Sequence, residues 1–222
     1  MPGGPTLETE LAFLSKGAAT VGGMDEVGRG ALAGPVCVGV VVVDTSTPPP
    51  PSGLADSKLL TAAQRERLVP QLAEWGAGRA LGWAGANEVD QLGIVGALRL
   101  AGCRALAELS IRPAVIILDG KHNWLCPPAD LFASETEPRW EVRMKVKADR
   151  QCASVAAASV LAKVARDQSM IELAGEHPGY GWAANKGYGA PEHLEALRRF
   201  GPTPEHRQSW SLPGADRLEV RS

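Results

Sequence analysis

Residues 35–43 read PVCVGVVVV, an apolar run without a single charge. A strand with one wet face alternates polar and apolar positions, so an unbroken β-branched run predicts a strand buried on both faces of a sheet. A second strand is predicted over 18–25, a third over 82–86, and a fourth over 114–118, which ends at Asp119 and Gly120. Residues 140–147, WEVRMKVK, alternate instead. Val142, Met144 and Val146 share one face, predicted to be buried, while Glu141, Arg143, Lys145 and Lys147 make the other face basic.

Helical stretches separate these strands. Leucines near the N-terminus predict a short leading helix. Thr61 and Gln64 form a candidate capping box for a helix running to residue 75, although Pro70 stands against its regularity. Residues 88–109 have helix-forming composition, and 151–173 predict a long helix in which Ala156, Ala157, Ala158 and Ser159 would permit close packing on the sheet. Asp149 sits where the N-cap of that helix belongs. The prolines at 48–51 mark a loop, and no internal repeat is present.

A chain of 222 residues, 45% hydrophobic, can bury one sizeable core. The expected organisation is a leader over 1–17, a single domain over 18–210 and a tail over 211–222. A formal net charge of −2 does not advertise a polyanionic partner, but a local basic face can hide within it. Residues 139–167 carry seven basic side chains (Arg139, Arg143, Lys145, Lys147, Arg150, Lys163, Arg166) against three acidic ones (Glu141, Asp149, Asp167). Cys37, Cys103, Cys126 and Cys152 form no CxxC pair and have no zinc-finger spacing, which leads us to expect reduced thiols and neither disulfides nor structural zinc. The longest apolar stretch, 31–43, contains Pro35 and falls short of the ~20 residues of a membrane span. With no secretory signal pattern at the start, a cytoplasmic protein is expected.

Acidic residues then stand out by position. Asp25 and Asp119 each end an apolar strand, and open α/β sheets collect their sites at strand carboxyl ends. Glu26 follows Asp25 directly, so the two would point to opposite faces unless the strand bends, a freedom that Gly28 and Gly30 could supply. Singly, each aspartate could cap a turn or a helix. Jointly, carboxylates converging without cysteine or histidine suit a hard cation bound through oxygen, Mg²⁺ or Mn²⁺.

MDEVGRG at 24–30, ADSKLL at 55–60, ILDG at 117–120, KADRQCASVAAASVLAKVARD at 147–167 and NKGYG at 185–189 together resemble ribonuclease HII, in that family's order. The resemblance implies an α/β, RNase H-like fold, a mixed five-stranded sheet flanked by helices with a C-terminal helical segment. It implies an endoribonuclease that hydrolyses the RNA strand of RNA/DNA hybrids and nicks 5′ of single ribonucleotides in duplex DNA, leaving 5′-phosphate and 3′-hydroxyl ends, with a role in removing ribonucleotides from DNA. Carried over by position, Asp25, Glu26, Asp119 and Asp149 become the catalytic, metal-binding set for two Mg²⁺ or Mn²⁺ ions. Gly28, Arg29, Gly30 and Tyr188 become the readers of the ribose 2′-hydroxyl and of the sugar beyond it. Ser57, Lys58, Ser159 and Lys163 become further substrate contacts. The terminal block EHRQSW at 205–210 resembles the family's last one, where His206 or Arg207 either touches substrate or braces the fold. Partners are then RNA/DNA hybrids and ribonucleotide-containing duplexes, with no membrane, no obligate protein partner and a monomeric state expected. The alternative is a catalytically silent nucleic-acid-binding module of the same fold, which would need a disrupted carboxylate set; here all four positions are acidic.

Overall fold

The computed structural model describes residues 4–126 and 140–214. Its five strands, β1 (Val21–Val27), β2 (Val36–Val43), β3 (Gly78–Ala84), β4 (Val115–Asp119) and β5 (Glu141–Lys145), form one sheet in the order β3-β2-β1-β4-β5. β1 pairs antiparallel with β2, and β2 with β3. The β1–β4 and β4–β5 pairs are parallel. The predicted mixed five-stranded sheet is thus the observed one.

Two helix layers enclose it. α4 (Ala153–Glu176) and α2 (Ala62–Glu74) bury the face carrying Val21, Val41, Val43 and Ile117. α3 (Ala86–Ala107), broken at Gly93, buries the opposite face of Met24, Val38, Val40 and Leu118. Every residue of β2 is therefore covered, as its unbroken apolar run requires. The small residues of α4 do permit close packing: a Cβ at Gly39 would lie 2.5 Å from the Ala158 carbonyl oxygen, so only glycine allows the helix this near the sheet.

The capping box of α2 is formed, with Gln64 N–H donating to Thr61 Oγ1 (3.3 Å) and Thr61 N–H to Gln64 Oε1 (2.8 Å). Pro70 stays inside α2. It lies on an exposed side with Glu66, so water can satisfy the carbonyl that loses its helical partner.

Three expectations need correction. β3 spans 78–84 rather than 82–86; as an edge strand it leaves Arg79 exposed, and its early half lacks the apolar run that marks a central strand. On β5, Met144 and Val146 are exposed and only Val142 packs against the core, because β5 is the other edge and pairs with β4 alone. Lys145, predicted to face water, is half-buried, and its Nζ donates to Thr9 Oγ1 (2.9 Å). Finally, Asp149 does not cap α4, which begins four residues later. That helix start is served by Glu10 of α1 (Glu8–Leu14), whose Oε1 accepts both Ser154 N–H (2.9 Å) and Ser154 Oγ–H (2.7 Å). Burial pushes the Glu10 carboxyl above its ordinary range.

Past α4, the short α5 (Trp182–Asn185) and α6 (Pro191–Phe200) enclose a third cluster of Ala33, Met170, Tyr180, Trp182, Leu197 and Leu212. Among the described residues no helix is long and apolar enough to cross a membrane.

Candidate active site

Parallel pairing sets Met24 of β1 opposite Leu118 of β4, so the next residue of each strand, Asp25 and Asp119, lies at the same end of the sheet. The bend expected at Asp25 is absent, since β1 keeps its register with β2 through Val27. Asp25 and Glu26 instead point to opposite faces and converge around the end of the strand. Asp25 turns toward α4, where the Ser159 hydroxyl favours its ionised form. Glu26 accepts from Arg29 Nη1 at 3.2 Å, while its backbone N–H donates to Asp25 Oδ1 at 2.8 Å.

Asp119 and Asp149 are joined through a turn. Lys147 adopts a left-handed conformation (φ 57°) that ends β5 and throws the chain into the 3₁₀ turn 148–150. The N–H of Ala148 donates to Asp119 Oδ1 at 2.7 Å, holding the turn, and with it the buried Asp149, against the end of β4.

The electrostatics follow from that crowding. Burial, with the charges of Glu26 and Asp119 adding to it, raises the Asp25 carboxyl to about 8, against the opposing effect of the nearby Ser159 hydroxyl. Burial and then the Asp119 and Asp56 carboxylates raise Asp149 to about 6. Glu26 is raised mainly by burial, despite Arg29. For Lys58, burial works against the charge, but Asp25, Asp149, Asp56 and Asp119 hold its ammonium above the ordinary range. Among the described residues no three acidic, histidine or cysteine side chains are drawn tightly enough together to hold an ion as they stand. The Asp25, Glu26 and Asp149 carboxyls are each raised in part by a neighbouring carboxylate, and Arg29 and Lys58 offset this only in part. An all-oxygen, anionic donor set in this condition fits a hard divalent cation.

The eight residues expected to meet substrate, Gly28, Arg29, Gly30, Ser57, Lys58, Ser159, Lys163 and Tyr188, line one cavity of about 320 Å³ together with Asp25 and Glu26. Asp119 and Asp149 lie outside its walls, within electrostatic reach. Ser57 and Ser159 share a hydrogen bond between their hydroxyls at 2.8 Å. Lys163 is committed to Asp167 (2.6 Å), and Lys58 stands exposed, 4.0 Å from Asp149. The broad basic face predicted over 139–167 is dispersed, because Arg143 pairs with Glu141, Arg150 with Asp56, and Arg166 is buried. Arg139 lies outside the described residues.

Two buried arginines hold the segment between β1 and β2 in shape: Arg207, expected either to touch substrate or to brace the fold, and Arg166, expected only as part of a basic face. Arg166 donates to the carbonyls of Pro35 (2.8 Å), Lys186 (3.0 Å) and Ala33 (3.2 Å). Arg207 donates to those of Arg29 (2.8 Å), Gly28 (2.6 Å) and Gly34 (3.2 Å). With φ at 85°, Gly28 takes a conformation that suits glycine, and a Cβ there would meet Arg166 Nε at 2.0 Å. Gly30 has no such neighbour: a Cβ would meet nothing within 4 Å, so the protein leaves its backbone open to an approaching ligand. Arg207 is thus the bracing residue of its block, and His206 is fully buried behind it. A buried Asp56 accepts from Lys58 N–H (2.9 Å) and Arg150 Nε (3.1 Å), fixing the turn that carries Ser57 and Lys58.

The ribonuclease HII family model matches residues 22–212. A ribonuclease HII of Streptomyces avermitilis is 48% identical over 206 residues, covering 93% of this chain and 82% of that protein. Among solved structures, the ribonuclease H2 of Pyrococcus horikoshii matches with a TM-score of 0.68 at 28% identity, over 91% of this chain and 98% of that one. The ribonuclease HII of Archaeoglobus fulgidus, solved in complex with PCNA, matches with a TM-score of 0.63 at 23% identity, over 87% and 96% of the two chains, and carries the likeness of fold alone.

Proposed function

Because the chain belongs to the ribonuclease HII family, metal-dependent endoribonucleases that hydrolyse the RNA strand of RNA/DNA hybrids, we propose that it also nicks duplex DNA on the 5′ side of a single embedded ribonucleotide. The observation that carries this reading is the one cavity in which the loop 28–30 and Tyr188 stand beside Asp25 and Glu26. Phosphate chemistry and sugar reading therefore share a single cleft. Cleavage of a duplex containing one ribonucleotide, assayed with Mg²⁺ and with Mn²⁺, tests it.

Asp25, Glu26, Asp119 and Asp149 would hold two such ions, which when bound supply an activated water and offset charge on the phosphate and the leaving 3′-oxygen. The chain's own groups do the rest. Lys58, held in its charged form by four carboxylates, meets the backbone phosphate. With Arg207 occupying the Gly28 and Arg29 carbonyls, the open backbone at Gly30 is left to face the 2′-hydroxyl, both donor and acceptor, which marks a nucleotide as RNA. Tyr188 stacks on the next sugar and so reads the RNA-to-DNA junction. Tyr188→Ala should accordingly reduce kcat/KM on a single ribonucleotide more than on a long hybrid; equal losses on both would argue against junction reading. Reduced cysteines suit the cytoplasm, where we place the protein.

Proton release accompanies metal binding on this account. At pH 7 Asp25, at about 8, is largely protonated, and a cation needs it ionised. Calorimetric titration of Mg²⁺ into metal-free protein should therefore give heats that differ between buffers of different ionisation enthalpy. The sign for stability is definite: a carboxyl raised from 3.8 to about 8 contributes stability that is complete below about pH 4 and lost as pH rises through 8. Added Mg²⁺ should raise the unfolding temperature more at pH 8 than at pH 6. Identical heats in both buffers would show the carboxylates already ionised.

A further inference from the structure

Behind the cleft, two fully buried histidines join a hydrogen-bonded chain whose direction its partners dictate. Nδ1 of His193, in the first turn of α6, lies 2.8 Å from the Tyr188 carbonyl oxygen. A carbonyl only accepts, so that nitrogen carries the proton and Nε2 is bare. Trp182 Nε1–H donates to this Nε2 at 3.0 Å. His206 is set the opposite way. Thr203 N–H donates to its Nδ1 at 2.9 Å, which leaves the proton on Nε2, 3.1 Å from the same bare nitrogen of His193. A second proton on His193 Nε2 would meet donors and no acceptor, while one on His206 Nδ1 would be driven against the Thr203 N–H, with only the Thr203 hydroxyl oxygen (2.9 Å) able to accept it. Both rings are therefore neutral with defined tautomers, and burial holds both below the ordinary histidine range.

The chain leads from the C-terminal segment to the cleft. His206 forms a backbone bridge with Ala33, and its neighbour Arg207 grips the carbonyls of Gly28 and Arg29. At the other end is Tyr188, on the cavity wall, whose ring lies 5.3 Å from Arg166 Cζ. We propose that His193 is a positioning residue for Tyr188: its Nδ1–H fixes the backbone from which the tyrosine ring enters the cleft, and Trp182 with His206 hold His193 in the tautomer that can donate. The kinetic consequence rests on the reading of Tyr188 given above; the positional one does not.

Substitutions separate the two nitrogens of the ring. An asparagine amide occupies the place of Nδ1, and a glutamine amide that of Nε2. The chain has only two tyrosines, Tyr180 and Tyr188, so fluorotyrosine-labelled protein gives two ¹⁹F resonances, assigned with Tyr188→Phe. In folded protein the Tyr188 resonance should shift or broaden in His193→Gln and stay near its original position in His193→Asn. Trp182→Phe, which keeps a ring but removes the donor, should move it in the same direction as His193→Gln. A Tyr188 resonance unmoved in folded His193→Gln, or in folded Trp182→Phe should the glutamine variant not fold, overturns the proposal. With the resonance moved, kcat/KM of His193→Gln on a single-ribonucleotide duplex should fall roughly tenfold further than on a hybrid, the scale expected for a misplaced contact. Equal falls on the two substrates would leave positioning established and remove the sugar-reading role of Tyr188.

Discussion

Asp119→Asn should give a folded protein that binds its duplex and does not cut it. Asp119 ends β4, and its Oδ1 accepts the Ala148 N–H at 2.7 Å. Asparagine retains a carbonyl oxygen for that bond, so the turn carrying Asp149 stays in place. What is lost is one negative charge and, on the proposed reading, one of four carboxylates that would hold the cations. Cutting should fall on the order of 1000-fold, the scale seen when one preorganised electrostatic group is removed from a reaction centre. Binding should change little or tighten, because the removed charge repels phosphate while Lys58 and the glycine loop remain. Single-turnover cleavage with fluorescence anisotropy on the same duplex separates the two effects. Unchanged cutting would move the catalytic assignment elsewhere, and joint loss of binding and folding would make Asp119 a structural residue.

Arg207→Ala should have the largest effect on stability. The guanidinium is fully buried and donates to three carbonyls; burial, with Arg166 nearby, lowers its pKa to about 10 against the weaker opposing effect of the Asp90 carboxylate. Removing it leaves the Arg29 and Gly34 carbonyls without a donor, while Gly28 keeps only its longer bond from Ala31 N–H (3.2 Å), and it empties the space of a large buried side chain. Each buried polar group left without a partner costs about 1–3 kcal/mol, so roughly 3–5 kcal/mol in all is expected after relaxation. For a chain of this size that corresponds to a fall of roughly 10 °C in Tm. Lysine cannot replace it, since one ammonium does not reproduce a planar fork directed at carbonyls on both sides of the loop. At temperatures where the variant stays folded, preference for RNA over DNA at the cut position should weaken, because the loop 28–30 is no longer held. A melting temperature within 2 °C of the unsubstituted protein would contradict the bracing role.

The parts of this molecule legible in its sequence are those that local pattern controls. The valine-rich apolar run of β2, the strands that deliver Asp25 and Asp119, and the Thr61 to Gln64 box all depend on neighbours a few residues away. What the sequence concealed depends on partners far along the chain. Glu10 serves the start of α4 across 144 residues, and Arg207 reaches back 179 residues to Gly28. Charge pattern alone likewise could not distinguish Arg166, wholly buried among loop carbonyls, from an exposed basic residue on the same helix. The alternation in β5 misled for a related reason: period two tells which residues share a face, and only the position of the strand in the sheet tells which face is covered. Of the candidate site, the carboxylates, the loop 28–30 and Tyr188 were nameable in advance and His206 and Arg207 were left between substrate contact and brace, while Arg166 and His193 needed the fold.

The central claim is that metal-held phosphate chemistry and recognition of a single 2′-hydroxyl occupy one cleft. It is tested most directly by incubating the protein with a DNA duplex containing one ribonucleotide, in Mg²⁺ and separately in Mn²⁺, and mapping both product ends. A single nick on the 5′ side of the ribonucleotide, leaving 3′-hydroxyl and 5′-phosphate ends and absent from the all-DNA duplex, is the predicted result. No cleavage by well-folded protein with either ion, or equal cleavage of the all-DNA duplex, would contradict it.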